Sequence, residues 1–324
     1  MDHNEPTNLF SEFPPVSTST WEEKILADLK GGDYSKKLIW KTDEGFDVKP
    51  YYRSEDLAGL EYLNVPPGIA PYVRGPRNDN NDWIVRQEID STDISAINIQ
   101  ALNAIQKGAG ALGLNVTEVT SHQQISSLLA GIDFQKTLIN FTSAKSYPLV
   151  LELLVYELSH RGSGRDKIKG SINFDALSYL LLHGDFYISW DHGLEEAEYL
   201  LGIVRERIPG FKVININGHY FQNAGSSIVQ ELAFSLASAS EYLACLTNRG
   251  AKVDDVAPYM QLSLSIGPVY FMEIAKLRAA RLLWTRMVEQ YEAKSVQSFR
   301  VFIHSTTALW NKSIYDPHVR SILA

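Results

Sequence analysis

A single cysteine, Cys245, stands in 324 residues, so no disulfide can close within the chain. Its neighbours Leu243, Ala244 and Leu246 mark it as small filler on the apolar side of a helix. The eight histidines include no H-x-x-x-H pair and one cysteine cannot make C-x-x-C, so no metal site is expected. Long apolar runs are missing as well. The best stretch, 148–158, is interrupted by Glu152 and Glu157, which excludes an apolar span of membrane length. The opening MDHNEPTNLF lacks a basic start followed by an apolar stretch, so no secretory signal is read and a cytoplasmic location is expected. Positive charge is in deficit, with 30 lysines and arginines against 38 acids and a net charge of −8. That balance argues against nucleic-acid and membrane partners and leaves room only for a local basic pocket. The remaining composition, 45% hydrophobic with 21 glycines and 13 prolines, is that of a globular chain and excludes disordered and collagenous classes. The length suits one α/β barrel or two smaller domains.

Residues 1–72 read as an arm and wrapping segment, and 73–324 as the main domain. Pro6, Pro14 and Pro15 punctuate a polar start that ends in Ser17-Thr18-Ser19-Thr20, where a hydroxyl can cap a short helix beginning near Trp21. Between Thr42 and Arg74 the pattern is irregular and aromatic, with Phe46, Tyr51, Tyr52, Tyr62 and Tyr72 interleaved with Pro50, Pro66, Pro67 and Pro71. Such a segment cannot build its own core and is expected to bury its aromatics on another surface.

After Asp90 the rhythm becomes strand and helix in alternation. Strands are expected at 111–116, 137–142, 170–174, 212–218, 261–266 and 299–304. Helices are expected at 94–107, 121–130, 148–160, 176–182, 226–246 and 270–291. Six such units predict an α/β fold with a parallel sheet, either doubly wound or most of a (β/α)8 barrel. The nearest candidate for a dinucleotide fingerprint, Gly162-Ser163-Gly164, lacks the third glycine and follows a helix, so it reads as a surface loop. Polar tips at residues 115–118, 173–175, 217–220 and 304–307 fall at carboxyl ends of strands, where barrel sites are built.

Five blocks then carry a resemblance: residues 49–52 (KPYY), 68–75 (GIAPYVRG), 83–87 (WIVRQ), 217–225 (NGHYFQNAG) and 271–284 (FMEIAKLRAARLLW). In this order the chain resembles the methylmalonyl-CoA mutase family of adenosylcobalamin-dependent isomerases, from about Trp21 onward. The resemblance implies a TIM (β/α)8-type barrel of the cobalamin-dependent mutase kind, with about six of eight βα units present. It also implies acyl-CoA threaded along the barrel axis in catalytic members, and a small subunit that pairs with a catalytic large subunit.

The departures from the catalytic pattern point to the small-subunit type. Where catalytic members have I-R-Q-Y this chain has Val85-Arg86-Gln87-Glu88, so a carboxylate replaces the tyrosine beside the rearranging radical. Where they have S-G-Y-H-M-Q it has Asn217-Gly218-His219-Tyr220-Phe221-Gln222, placing Tyr220 at the imidazole that donates to the thioester. His219 is one residue away, and on a strand adjacent residues point to opposite sides, so it is not expected to substitute. The glutamine of T-I-Q-N-D is Asn173, and the substrate-gripping arginine ten residues on is His183, whose imidazole cannot reproduce a guanidinium fork. The CoA-contacting P-R-L-S is Pro258-Tyr259-Met260-Gln261, and G-P-Y-A-T-M-Y-A-F-R-P-W shortens to residues 75–83 (GPRNDNNDW). Arg86, Glu88, Asn173, His183, His219, Tyr220, Tyr259 and Gln261 are therefore expected to line a degenerate substrate pocket with no catalytic residue.

Asp316-Pro317-His318 invites comparison with the family's D-x-H-x-x-G lower ligand to cobalt, but Ser321 stands at the glycine position and the chain stops three residues later, so no cofactor-binding role is expected. His304 beside Ser305, Thr306 and Thr307 reads as a semi-buried histidine without an orienting partner nearby in sequence. On the last helix, Arg278 and Arg281 are expected to ion-pair with Glu273 or Glu289. An open six-stranded sheet would expose two edges and an apolar inner face for other units to cover, whether the chain is a fragment or is completed by another polypeptide. The expectations are a non-catalytic small subunit, itself inactive, whose partner is a large subunit holding adenosylcobalamin, with no cofactor in this chain. The competing reading is a self-standing acyl-CoA isomerase with a remodelled site at Glu88, His183 and Tyr220.

Overall fold

The computed structural model describes residues 12–60, 62–162, 164, 168–311, 316 and 318. Of the segments singled out above, residues 1–11, Ser163 of the glycine loop, Pro317 and the last six residues, Ser321 included, lie outside the described residues. Two compact units divide between Glu61 and Tyr62.

In the first unit, helix α1 (Thr18–Asp28) starts where the hydroxyls predicted it. The Ser17 side chain accepts the amide of Thr20 and satisfies one of the donors left orphaned in the first turn. Asp33 caps α2 (Tyr34–Leu38), and β1 (Trp40–Lys41) pairs antiparallel with β2 (Asp47–Val48). A 3-10 turn, Ser54–Leu57, follows. The Trp21 and Tyr51 rings meet at 5.6 Å, and the Tyr34 and Tyr51 hydroxyls both donate to Glu22. Among the described residues of this unit none is buried.

The second unit is an α/β layer built on seven parallel strands. They are β3 (Arg86–Ile89), β4 (Ala111–Asn115), β5 (Leu138–Ser143), β6 (Gly170–Phe174), β7 (Phe211–Asn217), β8 (Met260–Ile266) and β9 (Phe302–Thr307). The helices are α3 (Ile94–Gln106), α4 (His122–Leu128), α5 (Tyr147–His160), α6 (Ala176–His183), α7 (Trp190–Arg207), α8 (Gly218–Asn223), α9 (Ile228–Asn248), α10 (Val253–Val256), α11 (Tyr270–Glu289) and α12 (Val296–Phe299). Asp93, Ser121, Ser146, Asp175, Ser189 and Ser227 cap α3, α4, α5, α6, α7 and α9, so each strand-to-helix loop carries its own start signal.

Strand order across the sheet equals chain order, β3 to β9, with every neighbouring pair parallel. A doubly wound sheet reverses direction at a switch point and so is excluded. Right-handed crossovers in one direction place the long helices on one face, and α3 packs on α4, α4 on α5, α5 on α7, α7 on α9 and α9 on α11. Leu112, Leu114, Ile139, Phe141, Ile172, Ile216, Leu262 and Leu264 are buried in the core with these helices. Strand β6 lies so close to β5 that a Cβ at Gly170 would strike the backbone carbonyl of Ile139.

Three expectations change. Among the described residues the parallel sheet has seven strands, because Arg86–Ile89 pairs in register with β4, Arg86 opposite Ala111 and Glu88 opposite Gly113. The last strand begins at Phe302; residues 296–299 form α12, capped by Ser295. Helix α7 was not anticipated, although Leu194, Ala197, Leu200, Leu201 and Val204 recur at helical spacing behind the Ser189 cap.

Candidate functional site

Strand alternation puts the odd-numbered residues of β4, β5, β6 and β8 on opposite terms from the even ones. One set, with Leu112, Leu114, Ile139, Phe141, Ile172, Leu262 and Leu264, is apolar and buried in the core; the other carries Asn140, Ser171, Asn173, Gln261 and Ser263, with the small Ala111 and Gly113 and Leu138 among them. Asn140 donates to the Leu112 carbonyl at 3.0 Å and accepts from Ser171 Oγ at 2.7 Å. Asn215 donates to Asn173 and to Asn217 Oδ1, and accepts from Ser263 Oγ at 2.7 Å. The face away from the helices is therefore a hydrogen-bonded ladder of small amides and hydroxyls. The apolar inner face expected from the sequence is corrected: in this sheet only the helix-covered side needs apolar residues.

Asp175 ties the carboxyl ends together. It caps α6 through Ser178, receives the Asn217 backbone amide and Nδ2 at 3.1 Å each, and accepts the Tyr242 hydroxyl of α9 at 3.3 Å. Burial pushes its carboxyl pKa up, against the pull of these donors. Beside it opens a cavity of about 870 Å³ between the tips of β5, β6 and β7 and helices α5, α6 and α7. Asn173, His183 and Tyr220 line it, so three of the residues read from the sequence share one space. Burial raises the Tyr220 hydroxyl pKa, and the Asp175 carboxylate adds to it. Tyr147 and Glu196, which no sequence motif singled out, line the same cavity, and burial lifts both of their pKa values.

A second group forms around β3, β8 and β9. Arg86 Nε lies 2.7 Å from Glu88 Oε1, and His304 Nε2 lies 3.9 Å from the same oxygen. His304 thus has charged neighbours after all, brought from the far end of the chain by the register that sets it beside Ser263. Burial pulls the His219 pKa down to about 4 against a hydrogen bond to the Ser263 backbone; burial, Arg86 and His219 pull His304 down to about 3. His219 and Tyr220 are not on a strand: both lie in α8, their ring centres 4.2 Å apart. The pair is split between sites by a helical step, since Tyr220 lines the cavity while His219 joins Arg86.

Gln261 is buried on β8 opposite Asn215, and Tyr259 sits in the 3-10 turn before β8, at the amino end of the sheet near Arg205 and Asp255. Neither lines the cavity. On α11 the expected ion pairs are corrected. Glu273 pairs with Lys276 at 2.7 Å, Glu289 with Arg286 at 3.3 Å, and Arg281 donates to the Leu277 carbonyl. Lys276 also reaches Glu231 Oε2 at 2.5 Å, and Lys276 and Glu231 are completely buried. At His318 it is the backbone amide that donates to Asp316 Oδ1, at 3.0 Å. That contact closes a turn.

A family profile described as methylmalonyl-CoA mutase matches residues 41–120 and 109–322. The chain is 37% identical to a methylmalonyl-CoA mutase small subunit of Porphyromonas gingivalis, over 97% of this chain and 51% of that protein. It is 31% identical to a methylmalonyl-CoA mutase of Rhizobium meliloti, over 87% and 43% of the two chains. To the methylmalonyl-CoA mutase large subunit of Porphyromonas gingivalis it is 27% identical, over 86% and 42%. The chain spans about half the length of the curated relatives it matches.

Proposed function

This chain belongs to the methylmalonyl-CoA mutase family, and from that premise we propose that it is the non-catalytic small subunit, or part of one, of a heterodimeric mutase. On this reading a large subunit holds adenosylcobalamin and interconverts methylmalonyl-CoA and succinyl-CoA, and this chain supports it without performing chemistry. The seven strands, wound in one direction, would form most of a (β/α)8 barrel of the mutase kind, with β3 and β9 the edges left to be joined. On this reading no cofactor role is assigned to this chain.

The observation that carries the reading is the charge of the cavity. An acyl group that carries a free carboxylate needs a fixed cation, and a guanidinium fork supplies one. Among the described residues the lining includes a single lysine, Lys145, whose ammonium is held by Glu118 at 3.0 and 3.2 Å, and no arginine, whereas Glu195, Glu196 and Asp175 are all present. Greater identity to the Porphyromonas gingivalis small subunit than to that organism's large one, 37% against 27%, points the same way.

The test is co-expression with a mutase large subunit followed by affinity capture of this chain. Co-elution in a fixed ratio is expected, and its absence beside a full-length control that retains the partner overturns the proposal. The competing reading, a self-standing acyl-CoA isomerase, draws on the cavity's remaining open and polar. Reproducible product from the isolated chain supplied with adenosylcobalamin and a panel of acyl-CoA esters would establish it; no turnover is expected.

A further inference from the structure

We propose that the cavity at the carboxyl ends of β5, β6 and β7 binds a small organic cation, an ammonium group carried on a compact apolar body. The inference stands on the lining of the cavity and does not depend on the subunit reading. Aromatic side chains make up much of its wall, among them Tyr147, Tyr179, Phe186 and Tyr187. Tyr179 anchors the wall, its ring tilted on His183 at 4.2 Å and edge-on to Tyr187 at 5.8 Å. The face of an aromatic ring is the negative end of its quadrupole and attracts an alkylammonium, most strongly where water is kept away.

The carboxylates supply the second element. Glu195 and Glu196 line the same space, and Glu196 is half-buried with no hydrogen-bond donor and no ion-pair partner among the described residues. Only the His192 imidazole supports its charge. The Lys145 ammonium is turned to Glu118, so it does not neutralise this wall. A half-buried carboxylate that faces a cavity and meets no cation among the described residues favours a positive ligand. An anionic ligand would meet Glu195, Glu196 and Asp175 with no guanidinium to receive it. The volume, about 870 Å³, exceeds what a choline-sized molecule requires, so the ring faces and not a tight fit would set selectivity.

Calorimetric titration of the full chain with choline, its uncharged isostere 3,3-dimethylbutan-1-ol, and succinate tests the assignment. Saturable choline binding at least tenfold tighter than that of the isostere is expected, with no binding of succinate. Glu196→Gln should weaken choline at least tenfold, about 1.4 kcal/mol, without a change in thermal melting. Tyr187→Ala, at a residue 71% exposed, should weaken it as well. Equal binding of choline and the isostere, an unaffected Glu196→Gln variant, preferential binding of succinate, or no saturable choline signal would each overturn the proposal. Capture of the large subunit, measured separately, reports on the subunit reading and is unaffected by any of these outcomes.

Discussion

His219 and His304 show what a fold does to a group whose sequence context is bland. Each imidazole is held neutral by burial, with pKa values drawn to about 4 and about 3 from an ordinary value near 6.5. An unfolded chain takes up protons on these rings as pH falls below about 6.5, while the folded chain does not until about 4 and 3. The unfolded state therefore binds more protons throughout that window, and the fold loses stability as pH falls from about 6.5 toward about 4. Above pH 7 the two imidazoles contribute no pH dependence. Urea midpoints measured from pH 7.5 to pH 4.5 should fall, and the fall should be shallower in His304→Gln, since glutamine cannot take up the proton. A variant whose midpoint tracks the parent across the whole range would refute this account. His183, by contrast, lines the cavity against Tyr179, although the sequence suggested one pocket for both it and His219.

Between elements, the decisive contact is the buried ion cluster joining α9, α11 and the tip of β8. Lys276 Nζ meets Glu231 at 2.5 Å, Glu273 at 2.7 Å and the Ser265 carbonyl at 2.6 Å, while the amides of Ser265 and Gly267 donate to the same two carboxylates. Burial pushes the Glu231 pKa up and Lys276 opposes it. Removing one member of such a set leaves charge buried without a counterion, which costs about 3–5 kcal/mol. Lys276→Met should lower the urea midpoint accordingly with an unchanged slope. The Lys276→Met and Glu231→Gln double variant should recover part of the loss, because one of the two orphaned carboxylates is then gone. No recovery would mean that packing of the lysine stem, and not the charge, holds the helices. The run FMEIAKLRAARLLW displayed Lys276 as one more basic residue on a charged helix. Its burial became visible only when α9 was laid alongside.

For the molecule as a whole, the first unit carries the remaining prediction. Trp21, Trp40, Phe46 and Tyr52 are about half exposed, and no described residue among 12–60 is buried. Burying each large aromatic is worth about 1.5–3 kcal/mol, and aromatic anchors dominate interfaces. Deleting residues 1–52 should weaken capture of a mutase large subunit at least tenfold, far more than Glu88→Gln or Tyr220→Phe in the second unit. Equal losses in a titration of tagged large subunit would place the partner contact elsewhere. The family, the parallel alternation of strands and helices, and the polar strand tips were legible in sequence because caps, periodicity and long motif blocks are local signals. Strand β3 escaped because four residues, two of them charged, carry no period of their own and are fixed by pairing with β4. The candidate site followed the same division. Residue types at positions 88, 173, 183 and 220 depart from the family's catalytic pattern in the sequence alone. Which of them share a cavity, that Glu196 stands in it without a partner, and that His219 and His304 meet beside Arg86 were decided by strand register and helix packing. Those bring together residues as far apart in the chain as Glu88 and His304, at separations where no local pattern records who the neighbour will be.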